Sequence, residues 1–160
     1  MKLLLFLSLP LYALDQLTKW LVVQHIEQGY DNRVSVIPGF FDLVYLVNTG
    51  AAFSVFSNNN IFFIALSVCV LAALAFFYKR GAFNGKLLNI GFSLLIAGIL
   101  GNLTDRILHQ HVIDFLLFDL HVRFADPWPA FNVADSCICV AACLFIITSF
   151  RDDKNLPLKT

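Results

Sequence analysis

Asp114 is the residue most at odds with its surroundings. It lies in Val112-Ile113-Asp114-Phe115-Leu116-Leu117, and a carboxylate in so apolar a setting is desolvated, which raises its pKa. A second aspartate, Asp135, follows in Phe131-Asn132-Val133-Ala134-Asp135-Ser136. Two carboxylates sharing a site cannot both ionise easily, so one keeps a proton at neutral pH. Such a pair does base and acid work together. The ionised carboxylate deprotonates a water that attacks a peptide carbonyl, and the protonated one donates to the carbonyl oxygen. Taken alone, Asn132 is equally suited to cap a helix with Asp135 in its first turn. The pairing with Asp114 tips the reading toward catalysis, and that reading requires the two aspartates to be close in space.

Competing hydrolytic chemistries lack their residues. The chain has no HExxH for a zinc protease and no GxSG-type serine site, since Ser93 lies in an apolar run. His109 and His111 flank Gln110 without a neighbouring cysteine and read as solvated or interfacial. Cys69, Cys137, Cys139 and Cys143 fall inside apolar runs without CxxC pairs. They read as small packed side chains, neither a disulfide framework nor a metal site.

Other polar residues cluster where apolar ones would be expected. Asp15 and Lys19 interrupt the first apolar run at i,i+4 spacing, so they share a helix face and can neutralise each other. Asn48-Thr49-Gly50-Ala51-Ala52-Phe53-Ser54 is a turn of small residues able to approach an extended peptide. In Gly98-Ile99-Leu100-Gly101-Asn102-Leu103-Thr104-Asp105-Arg106, the residues Asn102, Asp105 and Arg106 share a face. The two glycines there allow close helix approach. A helix end at a membrane surface, with Arg106 snorkelling to water, also accounts for Asp105 and Arg106.

The elements that must position these residues follow from composition. Of the 160 residues 59% are apolar and 14% charged, against about 25% charged in soluble domains. Four apolar runs, at about 3–23, 61–78, 87–106 and 131–150, approach the roughly 20 residues a helix needs to cross a bilayer. Inside lipid the backbone must satisfy itself, so these runs are read as helices. Lys2 and the leucines after it resemble a secretory signal start, but no small-x-small cleavage site follows, and the first run is read as retained. Lys2, Lys79, Arg80, Lys86, Arg151, Lys154 and Lys159 place both termini and the short middle loop in the cytoplasm. The segments at about 24–59 and 107–130 then face outward, with Trp20 and Trp128 near the outer interface. Within them Asp42–Val47 and Phe118–Phe124 read as strands, so a small sheet is expected on the outer face. With formal charge balanced at 11 basic and 11 acidic residues, no nucleic-acid partner is expected. The whole chain, 1–160, reads as one polytopic membrane domain.

Intramembrane ionisable residues mark functional sites, and a proton- or ion-relay transporter built on Asp15, Lys19, Asp114 and Asp135 is the alternative from another class. The absence of an internal repeat counts against it. A membrane partner protein without chemistry is the third reading.

Five blocks then carry a resemblance. Asp15-Gln16-Leu17-Thr18-Lys19, Asn48-Thr49-Gly50-Ala51-Ala52-Phe53, Gly101-Asn102-Leu103-Thr104-Asp105-Arg106, Val112-Ile113-Asp114-Phe115 and Phe131-Asn132-Val133-Ala134-Asp135-Ser136 resemble, in order, the motifs of the lipoprotein signal peptidase family, signal peptidase II. The resemblance implies an aspartyl endopeptidase with Asp114 and Asp135 as its catalytic pair. It implies substrate-binding or supporting roles for Asp15, Lys19, Asn48, Gly50, Asn102, Arg106 and Asn132. The implied fold is mainly α: four transmembrane helices, a small extracytoplasmic β-cradle and a short helix in the first outer loop. The implied substrate is a bacterial prolipoprotein, cut just before a cysteine that carries a diacylglyceryl group. Globomycin is the implied inhibitor, the inner membrane the implied location, and membrane lipid the implied surroundings. No metal or organic cofactor is implied, and a monomer is expected.

Overall fold

The computed structural model describes residues 2–50, 59–82, 85–122 and 127–153. Helix α1 (Lys2–His25) leads into strands β1 (Gly29–Ile37) and β2 (Phe41–Asn48). Helices α2 (Asn60–Lys79) and α3 (Lys86–His109), strand β3 (Val112–Phe118) and helix α4 (Val133–Asp153) follow. The helices fall on the apolar runs. By length and composition α2, α3 and α4 up to Phe150 can cross a membrane, with mean hydropathies of 2.6, 1.7 and 2.1. α1 is as long as α3 but carries Asp15, Gln16, Thr18 and Lys19 in its second half. Only 11% of the α2 span is buried within the protein, against 50% for α3, so α2 presents its apolar surface outward while α3 is the hub.

α3 packs against α1, α2 and α4. Its glycines permit the approach to α4. A Cβ on Gly98 would collide with the Ala134 carbonyl oxygen and with Ile138. On Gly101 it would lie 2.9 Å from the Ala134 Cβ. Without an aqueous hydrophobic drive between membrane helices, such close backbone packing supplies the attraction. Leu74, Phe92 and Ile99 form the apolar core between α2 and α3, flanked by Ile138.

The three strands form one antiparallel sheet in the order β1-β2-β3. The β1–β2 hairpin turns at Pro38-Gly39, where the Phe40 amide donates to the Ile37 carbonyl and Gly39 takes φ +72°. That is type II turn chemistry: proline presets φ at the first corner and glycine takes the positive φ at the second. β3 pairs with both ends of β2, Phe41 opposite Phe118 and Asn48 opposite Val112, with a register shift between Leu43 and Leu46. Val22, Ile26 and Phe115 join α1 to the sheet.

Five expectations change. The later strand is not Phe118–Phe124 but Val112–Phe118. After Phe118 the chain leaves the sheet in a turn, where Asp119 accepts from the His121 amide and His121 takes φ 51°. β3 is buried along nearly its whole length, so its residues show a continuous apolar run where a half-buried strand would alternate. The first outer segment holds two described strands where one was expected. The short helix expected there does not occur among the described residues, and 51–58 lie outside them. α3 continues past Arg106 to His109, ending at Gln110 in the left-handed conformation, so the following segment starts later than 107. α4 begins at Val133 and not 131, because Phe131 is bridged to Leu116 of β3.

Candidate active site

The end of the bundle where the sheet joins holds the polar residues singled out from sequence. Asp114 leaves the middle of β3, and Asp135 stands in the first turn of α4. Both line one cavity of about 430 Å³. Leu46, Val47, Asn48, Trp128, Phe131, Ile138 and Cys139 complete much of its wall.

Each aspartate is held by amides. One Asp114 oxygen accepts from Asn132 Nδ2 at 2.8 Å and the other from Asn48 Nδ2 at 2.8 Å. Asn48 is oriented in turn, because its Oδ1 accepts from the Gly50 amide at 3.0 Å. Asp135 Oδ1 accepts from Asn102 Nδ2 at 2.7 Å, and Oδ2 from the Asn132 backbone amide at 3.2 Å. The Asp135 amide donates to Asn132 Oδ1 at 2.9 Å. Asn132 and Asp135 thus make a reciprocal capping box on α4, and Asn132 reaches Asp114 at the same time. Capping and site-building are therefore the same interaction, and Asn132 is wholly buried.

Burial is the largest influence on Asp114, followed by the negative charge of Asp135; together they push its pKa up from 3.8 to about 7. The amide donors Asn48 and Asn132 and the charge of Lys19 oppose the rise. A carboxyl group at this value is divided between its two forms at neutral pH. Asp114 can therefore give or take a proton near neutral pH, at the wall of a cavity that Asp135 also lines.

Beneath the aspartates lies a buried ionic cluster. Lys19 Nζ is 2.9 Å from Asp15 Oδ2 and 2.8 Å from Asp105 Oδ2, and donates to Asn102 Oδ1 at 3.1 Å. Arg106 does not snorkel to water. It is buried, donates to the Gly50 carbonyl oxygen at 2.9 Å, and lies 4.7 Å over the Phe63 ring. It thereby ties the end of β2 to α2 and α3. The structure so brings together Asp15, Lys19, Asn48, Gly50, Asn102, Arg106, Asn132, Asp114 and Asp135. Thr49 follows Asn48 outside β2, and Phe53 and its neighbours lie outside the described residues.

Three residues here were not named from sequence as part of the site. Gln16 donates to both Asp15 and Asp105, and its adjacency to Asp15 was the available signal. Asp105 was read as a polar helix end, although its i+3 offset from Asn102 places it on the same face. Cys139, one turn beyond Asp135, was read only as packing. His109 and His111 lie with ring centres 5.9 Å apart, away from the aspartates' hydrogen bonds. Among the described residues no group of three or more His, Cys, Asp or Glu side chains could hold a metal.

Long apolar helices, a small sheet at one end, and a carboxylate-lined chamber where they meet define a membrane protein with an enzyme-like site. The chain belongs to the signal peptidase II family: the family model described as Signal peptidase (SPase) II matches residues 7–151. It is a protease. Similar proteins include the lipoprotein signal peptidase of Neisseria meningitidis serogroup C, 43% identical over 93% of this chain and 90% of that one. Another is the lipoprotein signal peptidase of Vibrio cholerae serotype O1, 38% identical over 96% of this chain and 90% of that one. A bacterial membrane enzyme solved by the in meso method at 2.3 Å resolution matches with TM-score 0.90 and 29% identity, over 100% of this chain and 94% of that one. A second, solved at 1.9 Å, matches with TM-score 0.83 and 30% identity over 95% of both chains.

Proposed function

We propose that this protein is an aspartic endopeptidase that removes signal peptides from diacylglyceryl-modified prolipoproteins, cutting just before the lipidated cysteine. The observation that carries the reading is the joint lining of one cavity by Asp114 and Asp135, bridged by Asn132. The ionised member takes a proton from water as the water oxygen bonds to the scissile carbonyl carbon. The protonated member gives its proton to the carbonyl oxygen. The first member, now protonated, gives that proton to the amide nitrogen; as the C–N bond breaks, a hydroxyl of the tetrahedral intermediate gives its proton to the other carboxylate, leaving the acid and amine products and the pair again with one proton.

In this reading α1 crosses the bilayer with the three apolar helices, giving four spans in the bacterial inner membrane. Both termini are cytoplasmic, by the distribution of Lys and Arg. The sheet and the aspartates then lie at the outer face, where an apolar signal helix and an acylated cysteine arrive from within the lipid. Asp15, Lys19, Asn48, Gly50, Asn102, Arg106 and Asn132 support the pair, and a monomer suffices. Globomycin is expected to occupy the cavity.

The test is incubation of the purified protein with a prolipoprotein, with and without the diacylglyceryl group, followed by mass measurement of the products. The account expects one cut, leaving the lipidated cysteine as the new N-terminus, blocked by globomycin. Equal cleavage of the unlipidated precursor, or cuts at other bonds, contradicts the substrate assignment.

A further inference from the structure

We infer that Lys19 is a positioning residue that fixes the separation of Asp114 and Asp135, working through three arms: two end on the residue before each aspartate and one on Asp135 itself. The inference rests on the reading of those two aspartates as catalytic. Lys19 is a buried ammonium with three donors, and its three partners are Asp15, Asp105 and Asn102.

The first arm is Asp15. Its other oxygen accepts from the backbone amide of Ala134 at 2.8 Å, the residue before Asp135. The second arm is Asp105. Its Oδ2, which meets Lys19, also accepts from the backbone amide of Ile113 at 3.1 Å, the residue before Asp114. The two arms are therefore equivalent: each buried carboxylate grips the peptide unit next to one reactive aspartate. Lys19 holds both carboxylates at hydrogen-bond distance from one nitrogen atom. Gln16 bridges the same two carboxylates with its amide, 3.1 Å from each.

The third arm sets polarity. An ammonium can only donate, so it must face the oxygen of Asn102. The Asn102 NH2 group is then left to point at Asp135, to which it donates at 2.7 Å. Asn102 Oδ1 also accepts from Asn132 Nδ2, the atom that donates to Asp114. From Lys19 on α1 the attachments run through Asp15 of α1 and through Asp105 and Asn102 of α3 to β3 and α4, the elements that carry the two aspartates. A 1 Å displacement of reacting groups costs on the order of a hundredfold in rate, so a device that fixes two elements against a third acts directly on turnover.

Lys19→Met alone strands two buried carboxylates, so the decisive variant is Lys19→Met combined with Asp15→Asn and Asp105→Asn. There the cluster is neutral, and each amide keeps an oxygen available for the clamped backbone N–H. Cleavage of a lipidated prolipoprotein is measured beside wild type, with active sites counted by inhibitor titration. The expected result is a folded triple variant whose kcat falls about a hundredfold while KM stays within about threefold of wild type. Asp15→Asn and Asp105→Asn singly are expected to fall between wild type and the triple variant. Wild-type kcat per site in the triple variant, or failure of that neutral variant to fold at all, would assign the cluster to stability alone and overturn the proposal. Absence of cleavage by wild type itself would instead sink the functional reading beneath it.

Discussion

Replacing Asp114 by asparagine should change stability with opposite signs at low and high pH. The folded-state pKa is about 7 against an ordinary 3.8, so between these values the folded protein holds a proton that the unfolded chain releases. Stability from this group is fully present below 3.8 and is lost as pH rises to 7. At about 1.4 kcal/mol per pKa unit, the ionised carboxylate costs the fold about 4 kcal/mol above pH 7. Asparagine removes that cost but introduces another. Both Asp114 oxygens accept from NH2 groups, of Asn132 and Asn48, and an amide can offer an oxygen to only one of them. Setting NH2 against NH2 costs about 1–3 kcal/mol. The variant should therefore be more stable than wild type by about 1–3 kcal/mol at pH 8 and less stable by a similar amount at pH 4. Thermal unfolding in one detergent at the two pH values measures the difference directly. A variant destabilised equally at both would refute the claim that burial and Asp135 hold Asp114 partly protonated.

Other consequences follow from the same contacts. Cleavage (kcat/KM) should fall about tenfold per pH unit above an upper limb near pH 7, and a pH profile flat to pH 9 would contradict this. Asn48→Leu removes a donor that favours ionised Asp114, so the limb should move to higher pH; a downward shift has the wrong sign. Gly98→Ala drives a methyl group into the Ala134 carbonyl and Ile138, which should cost about 1–3 kcal/mol of stability and lower turnover, and an unchanged melting point would show that α3 and α4 can part without loss. Arg106→Lys keeps the charge but loses the guanidinium's fixed fork over Phe63. It should cost about 1.5–3 kcal/mol through the Gly50 contact, and wild-type stability would show that contact to be idle.

The sequence made α2, α3 and α4 legible because lipid leaves the backbone few alternatives to a helix. It made the candidate site legible as a polar cluster because Asp15, Lys19, Asn102, Asp114 and Asp135 stand among apolar residues, where a charge or amide needs a partner. The sheet was less visible. β1 exposes most of its residues and shows no buried alternation, although Val34-Ser35-Val36-Ile37 before Pro38-Gly39 was a hairpin signal. β3 was misplaced because burial on both faces erased the period of two. Asp105 was undervalued because its partner, Lys19, is 86 positions earlier, and i,i+3 spacing shows only neighbours on the same helix. Asn132 offered two roles, and nothing local could reveal that one side chain fills both.

The most direct test of the central claim is single-site turnover of a lipidated prolipoprotein by wild type, Asp114→Asn and Asp135→Asn, each shown to be folded and to bind globomycin. The account predicts cleavage by wild type and a loss of at least about a thousandfold in kcat in each variant. Turnover within about tenfold of wild type in either folded variant would contradict a two-aspartate mechanism.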